Sequence, residues 1–402
     1  MNTVITIKHI YILLFFMLIS ISACDSSESS LYDNHIIKIT TQAQAAPSPF
    51  IVEKEAFSAK KQKNINYLML ENHYKLLDFE TVKAQTKNAI TLSRYLHNID
   101  PYSKYLSKKR YQFVQTRSLL KRVGAGFNLL INKDKILLVP IPNTALYHAG
   151  LKNPRYLHSI NQQKIHYQDF SSYAFLTQIK SGQKVDISVN DRHSNQNKAY
   201  TVKAKSYHRQ LDYYSEEKDF YIIRIDEFRE GMQKKFRRFL KKINNKKPLI
   251  IDLRYCPGGD LFAAVDMLSP LLGQSKTVAY LKKEKSYRPV SLKSIPTKRL
   301  FNRNIYLLSS PFTASSAEVF IRGIKHALKK SYIVGAPTQG KCVAQESYTL
   351  EDQSALLLSS YTILTPDQKN CDQVAIIPDK SVANIELLSI KQLLKYLPTE
   401  TP

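Results

Sequence analysis

Two residues of this 402-residue chain stand in segments that could each supply half of a catalytic pair. Ser315 lies in Thr313-Ala314-Ser315-Ser316-Ala317-Glu318, after the apolar run Ile305-Tyr306-Leu307-Leu308 and a Ser-Ser-Pro turn. Lys341 closes Gly335-Ala336-Pro337-Thr338-Gln339-Gly340-Lys341, after Tyr332-Ile333-Val334. Each is expected at the end of a buried strand, where the reactive groups of α/β domains usually stand. A serine hydroxyl attacks only when a base takes its proton, and a desolvated lysine can be that base. Gln345 would share a face with Lys341 if 341–348 were one strand, and its amide would then orient the amine. Taken alone, Ser315 with Glu318 three positions on is also a capping box that requires no chemistry. Most lysines, likewise, are solvated surface groups.

Upstream, Pro248-Leu249-Ile250-Ile251-Asp252-Leu253-Arg254 reads as a buried strand that runs into Tyr255-Cys256-Pro257-Gly258-Gly259-Asp260. A helical pattern over 261–272 follows. A glycine pair between strand and helix leaves N–H groups bare above the sheet, which suits an oxyanion. His326 would sit about 16 Å from Ser315 on one helix, too far to be its base unless that helix breaks. Cys256 has no histidine nearby in sequence and reads as a small buried thiol. No His/Cys/Asp cluster has metal spacing and no glycine-rich turn fits a phosphate, so no cofactor is expected.

With these segments in view, the chain resembles the carboxyl-terminal processing, or tail-specific, proteases over roughly 96–392. Thr313 to Glu318 is similar to their Ser-Ala-Ser-Ala-Ser-Glu stretch, which makes Ser315 the nucleophile. Thr338-Gln339-Gly340-Lys341 is similar to their Thr-Phe-Gly-Lys, which makes Lys341 the general base and Gln345 its assistant. Asp252 to Gly259 matches their Asp-Leu-Arg-x-x-Pro-Gly-Gly, so the resemblance implies an oxyanion hole from the N–H groups of Gly259 and Ser316. It also reaches Ser359-Tyr361-Thr365-Pro366 and Ile376-Ile377-Pro378-Asp379. Four departures stand out. Cys256 replaces a common asparagine, Gln339 and Cys342 replace the phenylalanine and glycine beside the lysine, and the Ser315–Lys341 spacing of 26 is slightly long.

The first residues read as an address. Lys8 precedes an apolar core over 10–19, too short to span a bilayer, and Ile21-Ser22-Ala23-Cys24 follows. That ending resembles the bacterial lipoprotein box, which implies acylation at Cys24. The chain is then expected in the bacterial cell envelope, lipid-anchored on the periplasmic face, and Asp25 resembles a signal for inner-membrane retention. The chain carries 59 Lys and Arg against 33 Asp and Glu, a net charge of +26. The basic residues are dispersed, so they favour an anionic membrane surface rather than nucleic acid. Cys256, Cys342 and Cys371 remain after Cys24, and Cys342 with Cys371 flank one hairpin region where they could pair.

The expected organisation is an α/β multidomain chain. A signal peptide (1–23) and polar tether (24–52) precede a helical region (53–122), which contains Ile99-Asp100-Pro101-Tyr102-Ser103-Lys104-Tyr105-Leu106. That run is similar to the family's Leu-Asp-Pro-x-Ser-x-Tyr-Leu segment, and without the resemblance it is an ordinary Asp-Pro turn. Residues 123–207 resemble a PDZ domain with helices at 145–151 and 171–179. Its carboxylate-binding loop would be Gly124-Ala125-Gly126-Phe127, although Asn153-Pro154-Arg155-Tyr156 replaces the usual Gly-Asp turn. The catalytic core spans 208–392, with helices at 232–243, 261–272 and 316–328 covering its sheet, and a tail closes the chain (393–402). The implied function is an exported serine endopeptidase that recognises protein substrates by their C-terminal tails. Its PDZ-like domain would stand where it could gate the site, and an adaptor or homo-oligomer stays open. The alternative is an exported scaffold that keeps the PDZ-like domain around an inactive core.

Overall fold

The computed structural model describes residues 56–397, apart from 133–134, 167–174, 191–195, 244–245, 285 and 287. The leader, Cys24 and the tether lie outside the described residues. Three helices open the described chain: α1 (Ala59–Asn72), α2 (Phe79–Gln85) and α3 (Ala89–Ile99). Each starts where a side-chain oxygen caps bare N–H groups: Ser58 accepts from Lys61, Asp78 from Thr81, and Asn88 from Ile90 and Thr91. Their apolar stripes, including Ile65, Met69, Leu92 and Leu96, pack onto Leu356 and Leu358 much later in the chain. Next come β1 (Lys104–Leu106) and α4 (Lys108–Ser118). The region expected to be wholly helical therefore contains a strand.

A small antiparallel unit follows, built from β2 (Lys121–Gly124), β3 (Phe127–Asn132), β4 (Lys135–Pro140), α5 (Ala145–His148), β5 (Arg155–Ile160), β6 (Gln163–Lys164), β7 (Lys184–Asn190), β8 (Asn197–Lys203) and β9 (Lys205–His208). Its sheet runs β3-β4-β5-β7-β8 with β6 beside β5, and β2 pairs with β9 so that entry and exit of the unit are zipped together. Alternation places Val185, Ile187 and Val189 of β7 inward, against Phe127, Leu138 and Leu146. The expected first helix ends at His148 rather than 151. Of the expected second helix, 171–174 lies outside the described residues, and Phe175–Thr177 is a 3₁₀ turn.

The remainder contains β10 (Asp212–Glu216), β11 (Tyr221–Ile225), α6 (Met232–Lys242), β12 (Leu249–Asp252), α7 (Leu261–Leu272), β13 (Thr277–Lys282), β14 (Val290–Lys293), β15 (Ile305–Ser309), α8 (Ser316–Ala327), β16 (Ser331–Gly335), β17 (Val343–Thr349), β18 (Ala355–Leu364), β19 (Lys380–Ser381) and α9 (Ile390–Leu393). One sheet has the order β10-β11-β12-β15-β16-β19, parallel from β11 onward. Its central strands β12 and β15 are buried at every position, as a parallel sheet covered on both faces requires. Ile222, Ile250, Tyr306, Leu308 and Val334 face the closing segment through Val382, Ile385 and Leu388. A second sheet joins β1-β18-β13-β14, with β17 also on β18. The β17/β18 hairpin thus belongs to its own sheet, which β1 of the amino-terminal region completes.

Candidate active site

Ser315 stands at the step from β15 into α8, in a backbone conformation (φ 58°, ψ −125°) that side-chain-bearing residues seldom adopt. Such a residue costs about 1–3 kcal/mol and persists only where its surroundings enforce it. Here the enforcement is a reciprocal cap: the Glu318 carboxylate accepts from Ser315 N at 2.9 Å. The Glu318 N–H, in turn, donates to the main-chain oxygen of Ser315 rather than to its hydroxyl. Ser315 Oγ is left buried without a hydrogen-bond partner. A serine that served only as a cap would have used that oxygen.

Glu318 does more than cap its helix. One oxygen, Oε2, accepts from both Ser315 N and Lys341 N (2.9 and 2.8 Å), so the two main chains are held no more than two hydrogen-bond lengths apart. The other accepts from Gly340 N at 2.8 Å and from Thr338 Oγ1 at 2.5 Å. Because Thr338 Oγ1 itself accepts from Ile376 N, its proton is free for Glu318. Burial pushes the Glu318 carboxyl above its ordinary range, against the pull of these four donors. The sequence showed Glu318 only as the end of a capping box.

Lys341 is 2 % exposed, and its Nζ donates to Gln345 Oε1. No carboxylate pairs with it among the described residues; the ring of Tyr102 lies 5.1 Å from the amine. Burial, and after it the nearby cation of Lys104, lower its pKa to about 7 against the pull of Asp100, Asp372 and Glu318. Lys341 and Gln345 meet, but not as two residues on one strand face. Lys341 precedes β17, and the pairing with β18 slips by one residue between Ala344 and Gln345. The Gln345 amide is anchored from its other end, Nε2 donating to the Tyr102 carbonyl at 2.9 Å. Tyr102 is a site residue that residue-by-residue reasoning missed; its signal was the Asp-Pro-x-Ser run itself.

The glycine pair has positive φ at both positions, 114° at Gly258 and 129° at Gly259. A Cβ on Gly259 would sit 2.1 Å from Phe228 O, and one on Gly258 would meet Ser315 Cβ at 2.9 Å. Only glycine allows this loop to lie against both neighbours. The N–H groups of Gly259 and Ser316 donate to no acceptor among the described residues, while Ser316 Oγ donates to Gly259 O at 3.2 Å. Cys256 is buried, and burial drives its thiol upward, away from nucleophilic form. His326 is exposed at the far end of an unbroken α8. Cys342 and Cys371 form a disulfide. Where the glycine of the resembled motif was lost, this bond ties the lysine loop to Asp372, which accepts from Cys342 N and from Tyr102 Oη.

Residues 219–382 match the family model of peptidase family S41. A "Probable CtpA-like serine protease" of Staphylococcus aureus (strain bovine RF122 / ET3-1) is 24 % identical over 354 residues, covering 86 % of this chain and 70 % of the relative. One of the same name from Staphylococcus saprophyticus is 24 % identical over 286 residues, covering 70 % of this chain and 58 % of the relative. Among solved structures, a photosystem II D1 C-terminal processing protease shares the fold with a TM-score of 0.60 at 14 % identity, over 81 % of this chain and 94 % of that one. Residues 219–382 are a domain of peptidase family S41, and the chain is a serine-type peptidase.

Proposed function

We propose that the chain is an endopeptidase that uses Ser315 as nucleophile and Lys341 as general base, and that selects substrates by their C-terminal tails. The observation that carries the dyad is that an unpartnered Ser315 Oγ and a buried amine with no carboxylate beside it belong to two residues whose main-chain N–H groups share one Glu318 oxygen. Neutral Lys341 takes the hydroxyl proton as Oγ attacks the scissile carbonyl, then donates it to the leaving amine. The bare N–H groups of Gly259 and Ser316 receive the oxyanion, and Gln345 holds the amine in place. Lys341 Nζ is bonded to Gln345 rather than to Ser315, and Ser315 is 0 % exposed. Reaction therefore requires the site to open and the two side chains to close on each other, which substrate binding would drive.

Tail recognition falls to the unit 123–207, read as PDZ-like. Three features support it. Strand β3 is the edge of its sheet, ready to receive a peptide as an added strand. Gly126 (φ 91°) passes so close to Thr144 that an added Cβ would lie 2.1 Å from it, and the N–H groups of Ala125 and Gly126 donate to no acceptor among the described residues. Those free donors at Gly124 to Phe127 suit a terminal carboxylate. The opposite face of the hairpin packs Leu137 and Val139 onto Tyr255 and Phe312, which flank the glycine pair and the nucleophile turn. A peptide on β3 would thus press on both halves of the oxyanion hole.

The deciding experiment uses protein lacking residues 1–23 and an unfolded substrate ending in an apolar tail or in Asp-Asp. The apolar tail should lower KM by about tenfold, the worth of one good contact of roughly 1.4 kcal/mol. Equal KM values would remove tail recognition, and no cleavage of either substrate would favour the inactive-scaffold alternative.

Location is proposed as the envelope, with acylated Cys24 as anchor. The Cys342–Cys371 disulfide supports an oxidising compartment. A Cys24→Ala form should leave the membrane fraction or accumulate unprocessed; unchanged membrane partition with normal processing contradicts the anchor.

A further inference from the structure

His73 and Asp100 form a buried pair that the scheme above does not use. His73 directly follows α1 and Asp100 directly follows α3, and their side chains are 0 % and 1 % exposed. His73 Nε2 lies 2.8 Å from Asp100 Oδ2. The Lys75 N–H donates to His73 Nδ1 at 3.2 Å, so that nitrogen carries no proton and Nε2 must be the one that donates to the carboxylate. Both partners are therefore fixed in role, the histidine Nε2 as donor and the aspartate oxygen as acceptor. Burial alone would raise Asp100, but the bonds from His73 and Ser103 hold it below its ordinary range.

The second oxygen, Asp100 Oδ1, accepts from Tyr102 N at 2.7 Å, Ser103 N at 2.8 Å and Ser359 Oγ at 3.0 Å. The Ser103 N–H and the Tyr102 carbonyl belong to one rigid peptide plane. Holding that N–H on Asp100 turns the carbonyl the opposite way, and there it meets Gln345 Nε2 at 2.9 Å. A carbonyl can only accept, so it must face the NH₂ end of the amide and leave Oε1 toward Lys341 Nζ. Ser359 is also the cross-strand neighbour of Gln345, which ties the same cluster to β18. The line from His73 to Lys341 is a hydrogen bond or a shared peptide plane at every step: imidazole to carboxylate, carboxylate to peptide, peptide to amide, amide to amine.

We propose that His73 and Asp100 are positioning residues for the general base: they lock the Tyr102–Ser103 peptide so that the Gln345 amide presents its oxygen, and never its NH₂, to Lys341. The pair would make the amino-terminal helices part of the catalytic apparatus. This rests on the serine–lysine reading, and the test is arranged so that either can fail alone.

His73→Leu removes the donor, whereas His73→Gln keeps an N–H at the place of Nε2. In the full chain, His73→Leu should lower kcat about 10- to 100-fold with KM within about twofold, a loss of the size usual when a group that orients an active ligand is removed. His73→Gln should recover most of the rate. Independently of activity, acetic anhydride labelling of Lys341 as a function of pH, read by mass spectrometry, follows the amine itself. Lys104, Asp100, Asp372 and Glu318 are the charged groups facing Lys341, with the Tyr102 ring beside it; Asp100, Tyr74 and Lys75 surround His73. Losing the oriented acceptor disfavours the ammonium form, so the labelling midpoint should move to lower pH in His73→Leu. If that variant folds poorly, Asp100→Asn serves: its NH₂ must face either His73 Nε2–H, which breaks the pair, or the Tyr102 and Ser103 N–H groups, which frees the peptide, and the same shift is expected. A lowered Tm with native kcat and an unmoved labelling midpoint would leave the pair a purely structural weld and overturn the proposal. A Lys341→Ala protein that stays active would instead remove the dyad, whatever His73 does.

Discussion

Ser315→Ala and Lys341→Ala are each expected to lower kcat by about 10³- to 10⁴-fold, and the double variant to lose nothing more. Non-additivity follows because nucleophile and base act in one step: once either is gone, the other has nothing to do. Lys341→Arg should be as inactive as alanine, since a guanidinium does not give up its proton. The folds should survive, because Ser315 Oγ makes no hydrogen bond to lose. In the native protein, the rate should climb about tenfold per pH unit below neutrality and level off above it, as Lys341, lowered to about 7 by burial, becomes the free amine. His326→Gln should leave that profile in place, for the imidazole is exposed at the far end of α8. Steady-state kinetics on an unfolded substrate settle both points. Near-native turnover by Lys341→Ala, or a limb that moves with His326, would mean that another group is the base.

How much of this was legible in the sequence depends on the range of the interaction. Strand β15 announced itself as the unbroken apolar run Ile305 to Leu308, because a strand covered on both faces has no polar side to show. Helix α7 spans the expected 261–272, and Asp260 caps it by accepting from Phe262 and Ala263. By contrast, nothing local to Lys104-Tyr105-Leu106 reveals that it pairs with Ala355 to Leu357, some 250 positions away. The Lys341–Gln345 contact was expected from strand periodicity and exists for a different reason, the slip in register opposite Gln345. Ser315's left-handed backbone is equally silent in the sequence, since serine has no intrinsic preference for it. Cys342 departed from the motif, and its pairing with Cys371, open as a possibility in the sequence, was decided by the fold that set the two side by side. In each case, what local propensity could not show was a partner supplied by a distant segment.

Glu318 is the position where that distinction has the largest consequence after the dyad itself. Read locally it caps α8; in the fold it is the only carboxylate among the described residues to bond to both Ser315 and Lys341. Glu318→Ala would strand four buried donors, each costing about 1–3 kcal/mol when unsatisfied, though water entering the gap would offset part of the sum. A net loss of about 4 kcal/mol is expected, at the severe end for a single substitution. Glu318→Gln is the sharper test, because shape and volume are kept. One amide end can still accept two bonds, but its NH₂ must then face the other pair of donors, either Ser315 N with Lys341 N or Thr338 Oγ1 with Gly340 N. Either orientation releases one side of the clamp, so Ser315 and Lys341 drift from register. We expect Glu318→Gln to lower kcat by about 100-fold, as misplacement by an ångström or so does, with a smaller fall in Tm than Glu318→Ala. If Glu318→Gln kept both the native Tm and the native kcat, the carboxylate would be no more than a helix cap. The registration of the dyad would then have to come from the strands β15 and β16 alone.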